Sequence, residues 1–192
     1  MNLQRISVKL FASNPQDVNL PAVTPVFHRW IQQAAVPGIL IDVADYEHMI
    51  DGPGILLVGH DCDYAMDLER GMPGMLYVGK YLDEGAPLSE ALPEALSRVV
   101  AACQAFEQDG SVNVTFDTSK VEIMLRDRLR APNNAETYAA VKDDVQAAVS
   151  AVFGDAVSLS RDEHARRCVT ITASASSSPA LSELATKAGA GA

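Results

Sequence analysis

The sequence predicts an α+β fold in which three helices pack on a mixed or antiparallel sheet of about eight strands. Three segments carry apolar residues at helical spacing, and the other apolar runs are short, as is typical of strands. Turn-forming residues join those short runs in pairs. Because each predicted helix precedes such a pair, we expect helix-plus-hairpin units after a first strand, with one extra strand after the first unit.

The first strand and the first helix lie in the opening part of the chain. Apolar and polar residues alternate over 5–11, which predicts a half-buried strand. Apolar residues at helical spacing over 20–35 predict a helix, with Thr24 as its cap and Pro25 in its first position. Pro37-Gly38 should end this helix. The predicted buried stripe of the helix contains Val23, Phe27, Trp30, Ile31 and Ala34.

The first hairpin joins the runs 39–44 and 55–58 around the turn Asp51-Gly52-Pro53-Gly54. Both runs are apolar on both faces, which is typical of strands covered on each side. We therefore expect this hairpin in the middle of the sheet. The run 75–78 supplies the extra strand.

Two further helix-plus-hairpin units follow. Their helices are predicted within 88–106 and between Asn134 and Gly154. Their hairpins are predicted to pair 112–116 with 121–125, and 156–160 with 168–173.

These units set the expected domain boundaries. We expect residues 1–173 to form a single α+β domain, or two fused subdomains divided near 83–88. Beyond this point the chain is mostly Ser, Ala and Gly, which bury little apolar surface. Residues 174–192 are therefore predicted to form a flexible tail, with a loose helical turn over 181–187 as the one element it allows.

Composition argues against two classes of partner. Hydrophobic residues make up 48% of the chain, enough for a sizeable core, and the formal net charge is −10. The densest basic stretches, 126–130 and 161–167, are interrupted by acidic or apolar residues. We interpret them as solvated strand edges and predict no nucleic-acid binding. The apolar runs are too short to span a membrane and the start does not resemble a signal peptide, so no membrane partner is predicted.

The cysteines indicate a reducing compartment. Cys62, Cys103 and Cys168 are widely spaced, odd in number and without a CxxC pair. We interpret them as reduced thiols in a bacterial-type cytoplasm, with Cys103 as a small core residue on the second helix.

Potential ligand-binding side chains are densest in the segment 42–64. His48 precedes the hairpin turn, whereas His60 lies at the far end of the returning strand. At about 3.3 Å per residue, the two imidazoles are too far apart to share a metal ion. The combinations left are His60 with Asp42, or with Asp61 and Asp63. We therefore predict ligand binding by Asp42, His60, Asp61 and Asp63, with a divalent metal as the alternative ligand.

Two other chemistries fit this segment less well. Carboxylates at alternate positions from Asp61 to Glu69 suggest calcium, but the internal glycine and terminal glutamate of an EF-hand are missing. We interpret this stretch as a strand with one solvated acidic face. Cys62 would share a strand face with His60, but neighbouring carboxylates raise the pKa of a thiol, so an inert thiol is expected.

Each of these constellations has a structural explanation. The sequence therefore favours a soluble, non-enzymatic binding or assembly protein that associates with itself or with a protein partner, and no cofactor is predicted. The alternative is a metal-dependent or carboxylate/histidine enzyme with its site near His60.

Overall fold

The computed structural model describes residues 3–82, 86–154, 156–164 and 166–190. Its strands are β1 Ile6–Ala12, β2 Leu40–Asp45, β3 Ile55–Gly59, β4 Cys62–Asp67, β5 Gly74–Gly79, β6 Phe116–Leu125, β7 Val157–Arg161 and β8 Val169–Ala175. Its helices are α1 Leu20–Gln33, α2 Leu88–Asp109, α3 Ala135–Phe153 and α4 Leu181–Ala190. The strands form one eight-stranded sheet in the order β2-β3-β4-β5-β1-β6-β8-β7.

Every neighbouring pair of strands in this sheet is antiparallel. After β1, helix α1 leads to the edge strand β2 and β3 returns beside it. After β6, helix α3 leads to the opposite edge strand β7 and β8 returns beside it. The predicted α+β class is confirmed, and the helix-plus-hairpin arrangement holds for α1 and α3.

Helix α2 is followed by one long strand, so the predicted second hairpin is wrong. Strand β6 runs through 117–120, where the turn was expected, and the Ser119 backbone N–H donates to the Asp117 carboxylate at 2.8 Å. The pairing with β1 shifts register between Leu10 and Ala12, which accommodates the irregularity as a bulge. The strand count is still eight because 62–67, outside the predicted hairpins, forms β4.

The first hairpin lies at the margin of the sheet, which contradicts its predicted central position. Strand β2 is the edge strand, and Ile39 and Ile41 expose more than half of their surface. The hairpin of β4 and β5 occupies the place between β3 and β1. Apolar composition therefore indicated strands correctly but did not indicate which strands lie at the centre.

The helices of the described residues pack on one face of the sheet. The inward side chains of the strands form one cluster with Trp30 of α1, Phe106 of α2 and Val145 of α3. The pairs that face each other across strands, such as Val8 and Tyr77, belong to the same cluster. Val23, Phe27 and Trp30 of α1 and Cys103 of α2 are buried as predicted. Ala34 is exposed because α1 ends at Gln33, so the predicted stripe is wrong at that position.

The helix boundaries and the helix count differ from the prediction. Helix α1 begins at Leu20, so Thr24 is not its cap and Pro25 lies inside it. The described chain has a fourth helix, α4, within the predicted tail; Leu184 and Ala188 of this helix are buried in the core. Leu181 and Ala185 pack against the same core, so four apolar residues on one face of α4 anchor a segment that is otherwise small and polar. Residues 83–85, where the alternative domain division was predicted, lie outside the described residues.

The second face of the sheet carries no helix within the described chain, and its centre holds two ion pairs. Lys9 contacts Asp67 at 2.5 Å, and Arg70 pairs with Glu122. Lys9 and Glu122 are directly opposite each other on β1 and β6. Because Asp67 is buried in an ion pair, the predicted solvated acidic face is wrong at this position.

Candidate functional site

A cleft lies at the end of the sheet where β1 begins and β6 ends. There the segment after α1, the β3–β4 turn and the chain after β5 meet the first turns of α2. The cavity measures about 220 Å³, and its lining includes the apolar side chains of Ile39 and Leu82, the aromatic rings of Tyr77 and Tyr81, and several charged side chains. We call it the end cleft. Ile39 is 64% exposed and Tyr81 is 68% exposed, so apolar surface is open to solvent at its mouth.

One wall of the end cleft is held by contacts around Gly38. The Tyr64 hydroxyl donates a hydrogen bond to the Pro37 carbonyl at 2.7 Å. Gly38 has a φ of +121°, and a Cβ at this position would lie 2.8 Å from the Cys62 Sγ. Only glycine combines this backbone conformation with so close an approach. The hydrogen bond from Tyr64 and the close packing at Gly38 therefore fix this wall of the cleft.

Charged side chains mark the rim of the end cleft. Arg98 donates from Nε and Nη2 to one oxygen of Glu94, at 3.1 and 2.6 Å. Burial is the largest single effect on Arg98 and lowers its pKa, but the hydrogen bond to Glu94 and the electrostatic effects of Tyr77, Tyr64 and Glu94 together raise the pKa above its usual value. Asp61 also lines the cleft, and both carboxylates are more than half exposed. Among the described lining residues, two carboxylates and one guanidinium leave a net charge of −1.

A shallow depression of about 550 Å³ adjoins the end cleft across the Arg98–Glu94 pair. It lies along the first turns of α2, and Glu90 is exposed beside it. The rim therefore continues as an acidic surface on α2.

The structure separates the residues that were predicted to bind a ligand. Asp61 lines the end cleft, and His60 is exposed with its Nε2 at 3.5 Å from the Asp61 Oδ1. Asp63 is held by Lys80 at 2.7 Å and by the Gly59 backbone N–H at 3.1 Å. The carboxylate of Asp63 is therefore already bound by an ion pair and a hydrogen bond within its own chain.

Asp42 lies apart from these residues, on the edge strand. It is opposite Val58 in the register, and its carboxylate accepts a hydrogen bond from the Val43 backbone N–H at 2.8 Å. Its neighbour Asp45 pairs with Ile55 at the other end of the hairpin, beyond which His48 lies. The predicted hairpin, with His48 and His60 at opposite ends, is confirmed.

No group of three or more histidine, cysteine, aspartate or glutamate side chains in the described part of the chain is arranged to hold a metal ion.

The Cys62 thiol faces the inside of the end cleft, whereas the His60 imidazole is exposed to solvent. Burial raises the pKa of Cys62; Arg98 opposes this shift, and Asp63 adds to it. Burial likewise raises the pKa of the Tyr77 hydroxyl. The predicted direction for the thiol is confirmed, although desolvation contributes more than the carboxylates. These groups stay protonated near neutral pH, which disfavours nucleophilic chemistry at Cys62.

A basic loop, residues 126–131, lies at the same end of the sheet. Leu129 is 92% exposed, and Arg128 and Arg130 on either side of it are also exposed. The Asp127 carboxylate accepts a hydrogen bond from the Arg130 backbone N–H at 3.1 Å, and the buried Ala131 donates its N–H to the Asp127 carbonyl at 2.7 Å. The loop is thus a fixed turn. This contradicts the interpretation of 126–130 as a strand edge.

Sequence reasoning missed Ile39, Tyr81, Arg98 and Leu129 as functional candidates. Each is an ordinary residue of a strand end, helix or turn in the sequence. The one local signal in the sequence was Leu129 itself, a large apolar residue directly between two arginines in a predicted solvated stretch.

No protein-family model and no curated protein matches this chain. In the described residues, no helix combines the length and the apolar character needed to cross a membrane.

Proposed function

We propose that this protein is a non-enzymatic binding protein of the assembly type. Its end cleft accepts an apolar side chain, flanked by basic residues, from a protein partner. The observation that carries the proposal is a small cavity with exposed Ile39 and Tyr81 at its mouth and exposed Asp61 and Glu94 at its rim. A partner that covers this mouth removes apolar surface from water.

The size of the end cleft favours a side chain over a cofactor. Pockets for drug-sized ligands measure about 300–1,000 Å³, whereas this cavity measures about 220 Å³. One aliphatic side chain, with part of its backbone at the mouth, fits this space better than a nucleotide or another extended cofactor.

The rim charges favour basic flanking residues in the partner. Burying one aliphatic side chain contributes about 1.5–3 kcal/mol, and each exposed ion pair contributes about 0.2–1 kcal/mol. The apolar contact therefore provides most of the affinity, while Asp61 and Glu94 select between basic and acidic segments.

The test is a titration of ¹⁵N-labelled protein with blocked pentapeptides, followed by NMR. The peptide acetyl-Ser-Arg-Leu-Arg-Ser-amide should shift the amide signals of Gly38, Gly79 and Tyr81. Its glutamate analogue, acetyl-Ser-Glu-Leu-Glu-Ser-amide, and its Leu→Ala analogue should bind more weakly. The exposed Ile39→Arg substitution should abolish the shifts by placing a cation at the mouth. Equal binding of the basic and acidic peptides, or shifts away from the cleft, would rule out the proposal.

A further inference from the structure

We propose that the segment entering the end cleft is Arg128-Leu129-Arg130 of a second copy of the chain. Two copies would then form an isologous dimer in which each basic loop fills the cleft of the other. This inference rests on the proposed function of the end cleft and names its partner.

The basic loop holds Leu129 in a fixed position with its side chain open to solvent, where a partner can bind it. The Asp127 hydrogen bonds fix the turn, and the Arg126 Nε donates to the Ser7 Oγ at 2.8 Å. Leu129 is held away from its own chain, at 92% exposed. Because the loop is already ordered, docking it costs less conformational entropy than docking a flexible segment.

The loop and the end cleft belong to one patch of surface. Strand β6 ends at the basic loop, and β5 ends at the cleft, with only β1 between them. At a spacing of about 4.8 Å per strand, the two features are roughly 10 Å apart. A twofold axis through such a patch brings each loop to the partner's cleft at the same time, as an isologous contact requires.

The charges of the two features are complementary. Arg128 and Arg130 flank the leucine, while Asp61 and Glu94 are the exposed carboxylates of the cleft. Glu94 is already bound to Arg98, so Asp61 is the carboxylate that a partner's arginine can pair with most directly. Arg130 contacts Asp127 of its own loop at 3.7 Å, a long and partly exposed pair that a second carboxylate can join.

A second exposed loop offers a contrast. Ile50 is 96% exposed on the β2–β3 loop, among Glu47 and Asp51, at the opposite end of the sheet. Its acidic flanks would meet the acidic rim of the end cleft with like charge. The basic loop is therefore the better occupant of the two.

The experiment measures the dimer by sedimentation equilibrium over a range of concentrations. Two leucines and two small clefts make a modest interface, so a dissociation constant in the micromolar range is expected. Leu129→Ala should weaken the dimer at least about tenfold, because the contact is lost twice. Leu129→Asp should give a monomer. The matched control is Ile50→Asp, which makes the same change at a similarly exposed site and should leave the dimer intact.

Mixing two defective variants tests the reciprocal contact. Leu129→Asp lacks a working loop, and Ile39→Arg lacks a working cleft, so each alone should be monomeric. Together they retain one intact loop and one intact cleft, so a mixture should form heterodimers. Ile39 and Leu129 are both exposed, so neither substitution should disturb the fold, and a change in association can be assigned to the contact itself.

The outcomes separate this inference from the proposed function. A wild-type monomer at the highest soluble concentration, a dimer unaffected by Leu129→Asp, or a mixture without heterodimers would overturn the inference. The peptide titration, repeated on the Leu129→Asp variant whose cleft is free, tests the cleft independently. Peptide binding with a monomeric wild type keeps the proposed function and rejects only the second copy as partner.

Discussion

Replacing Lys9 with methionine tests what stabilises the second face of the sheet, which carries no helix within the described chain and which we call the helix-free face. The Lys9 Nζ lies 2.5 Å from the Asp67 carboxylate, and the two side chains are 3% and 6% exposed. The lysine stem crosses β5 at Gly74, where a Cβ would lie 3.0 Å from the Lys9 Cε. Methionine follows a similar path without a charge, so the substitution removes the ion pair and leaves most of the packing.

The expected loss of stability follows from the carboxylate that remains. Breaking a buried ion pair by removing one partner costs about 3–5 kcal/mol, since the other charge stays buried and uncompensated. Removing both charges, in Lys9→Met with Asp67→Leu, should return the free energy of unfolding to within about 1 kcal/mol of wild type. Glu122 keeps its own partner, Arg70, in each of these variants.

Urea unfolding followed by the fluorescence of the single, buried Trp30 measures these differences. The wild type, both single variants and the double variant complete a double-mutant cycle. A loss below about 1 kcal/mol for Lys9→Met, or a double variant as unstable as the sum of the singles, would refute the assignment of a buried, coupled pair.

Three other tests address the cleft wall, the thiol and a helix end. Gly38→Ala should lower the free energy of unfolding by about 1–3 kcal/mol through backbone strain alone, and more through its clash with the Cys62 Sγ. Gly71→Ala, with a φ of +63° and no atom within 4 Å, should show the strain without the clash in the same urea experiment. Because Cys62 is 1% exposed and burial also raises the pKa of its thiol, Cys62 should react with a disulfide reagent much faster in urea than in the folded protein, as checked by mass mapping. The hydrogen bond from Arg29 holds the pKa of Asp109 below its usual value of 3.8, so the pair stabilises the fold above that pH and loses its effect as the pH falls further. Asp109→Asn should therefore be less stable than wild type at pH 7, with a difference in urea midpoint that shrinks in acid.

The spacing of apolar residues predicted most helices and strands of this fold, but it did not predict which strands lie next to each other in the sheet. The buried stripe of α1 was identified because helical spacing is a local property of the sequence. The residues 117–120 have the composition of a turn, yet they lie in β6. Phe116, before this stretch, pairs with Ala12 of β1, and 121–125, after it, pair with both β1 and β8; these long-range contacts on either side outweigh the local turn preference.

The candidate site was predicted only in part, for a related reason. Asp61 was predicted as a site residue and lines the end cleft, whereas Asp42, close to it in sequence, lies apart on the edge strand. Arg98 comes from a helix nearly forty residues away in the sequence. No spacing rule links Arg98 to Asp61, because their proximity depends on how α2 packs against the ends of the strands.

The helix-free face of the sheet is the other large surface on which a partner could dock. Its central charges are already paired, as Lys9 with Asp67 and Arg70 with Glu122. A partner there would remove water from four charges without offering them better contacts, and this desolvation would oppose the gain from apolar burial. At the end cleft Glu94 already pairs with Arg98 but stays more than half exposed, and Asp61 is exposed and can gain a cationic partner, while the apolar mouth is open. The balance of these contributions favours docking at the end of the sheet over docking on its face.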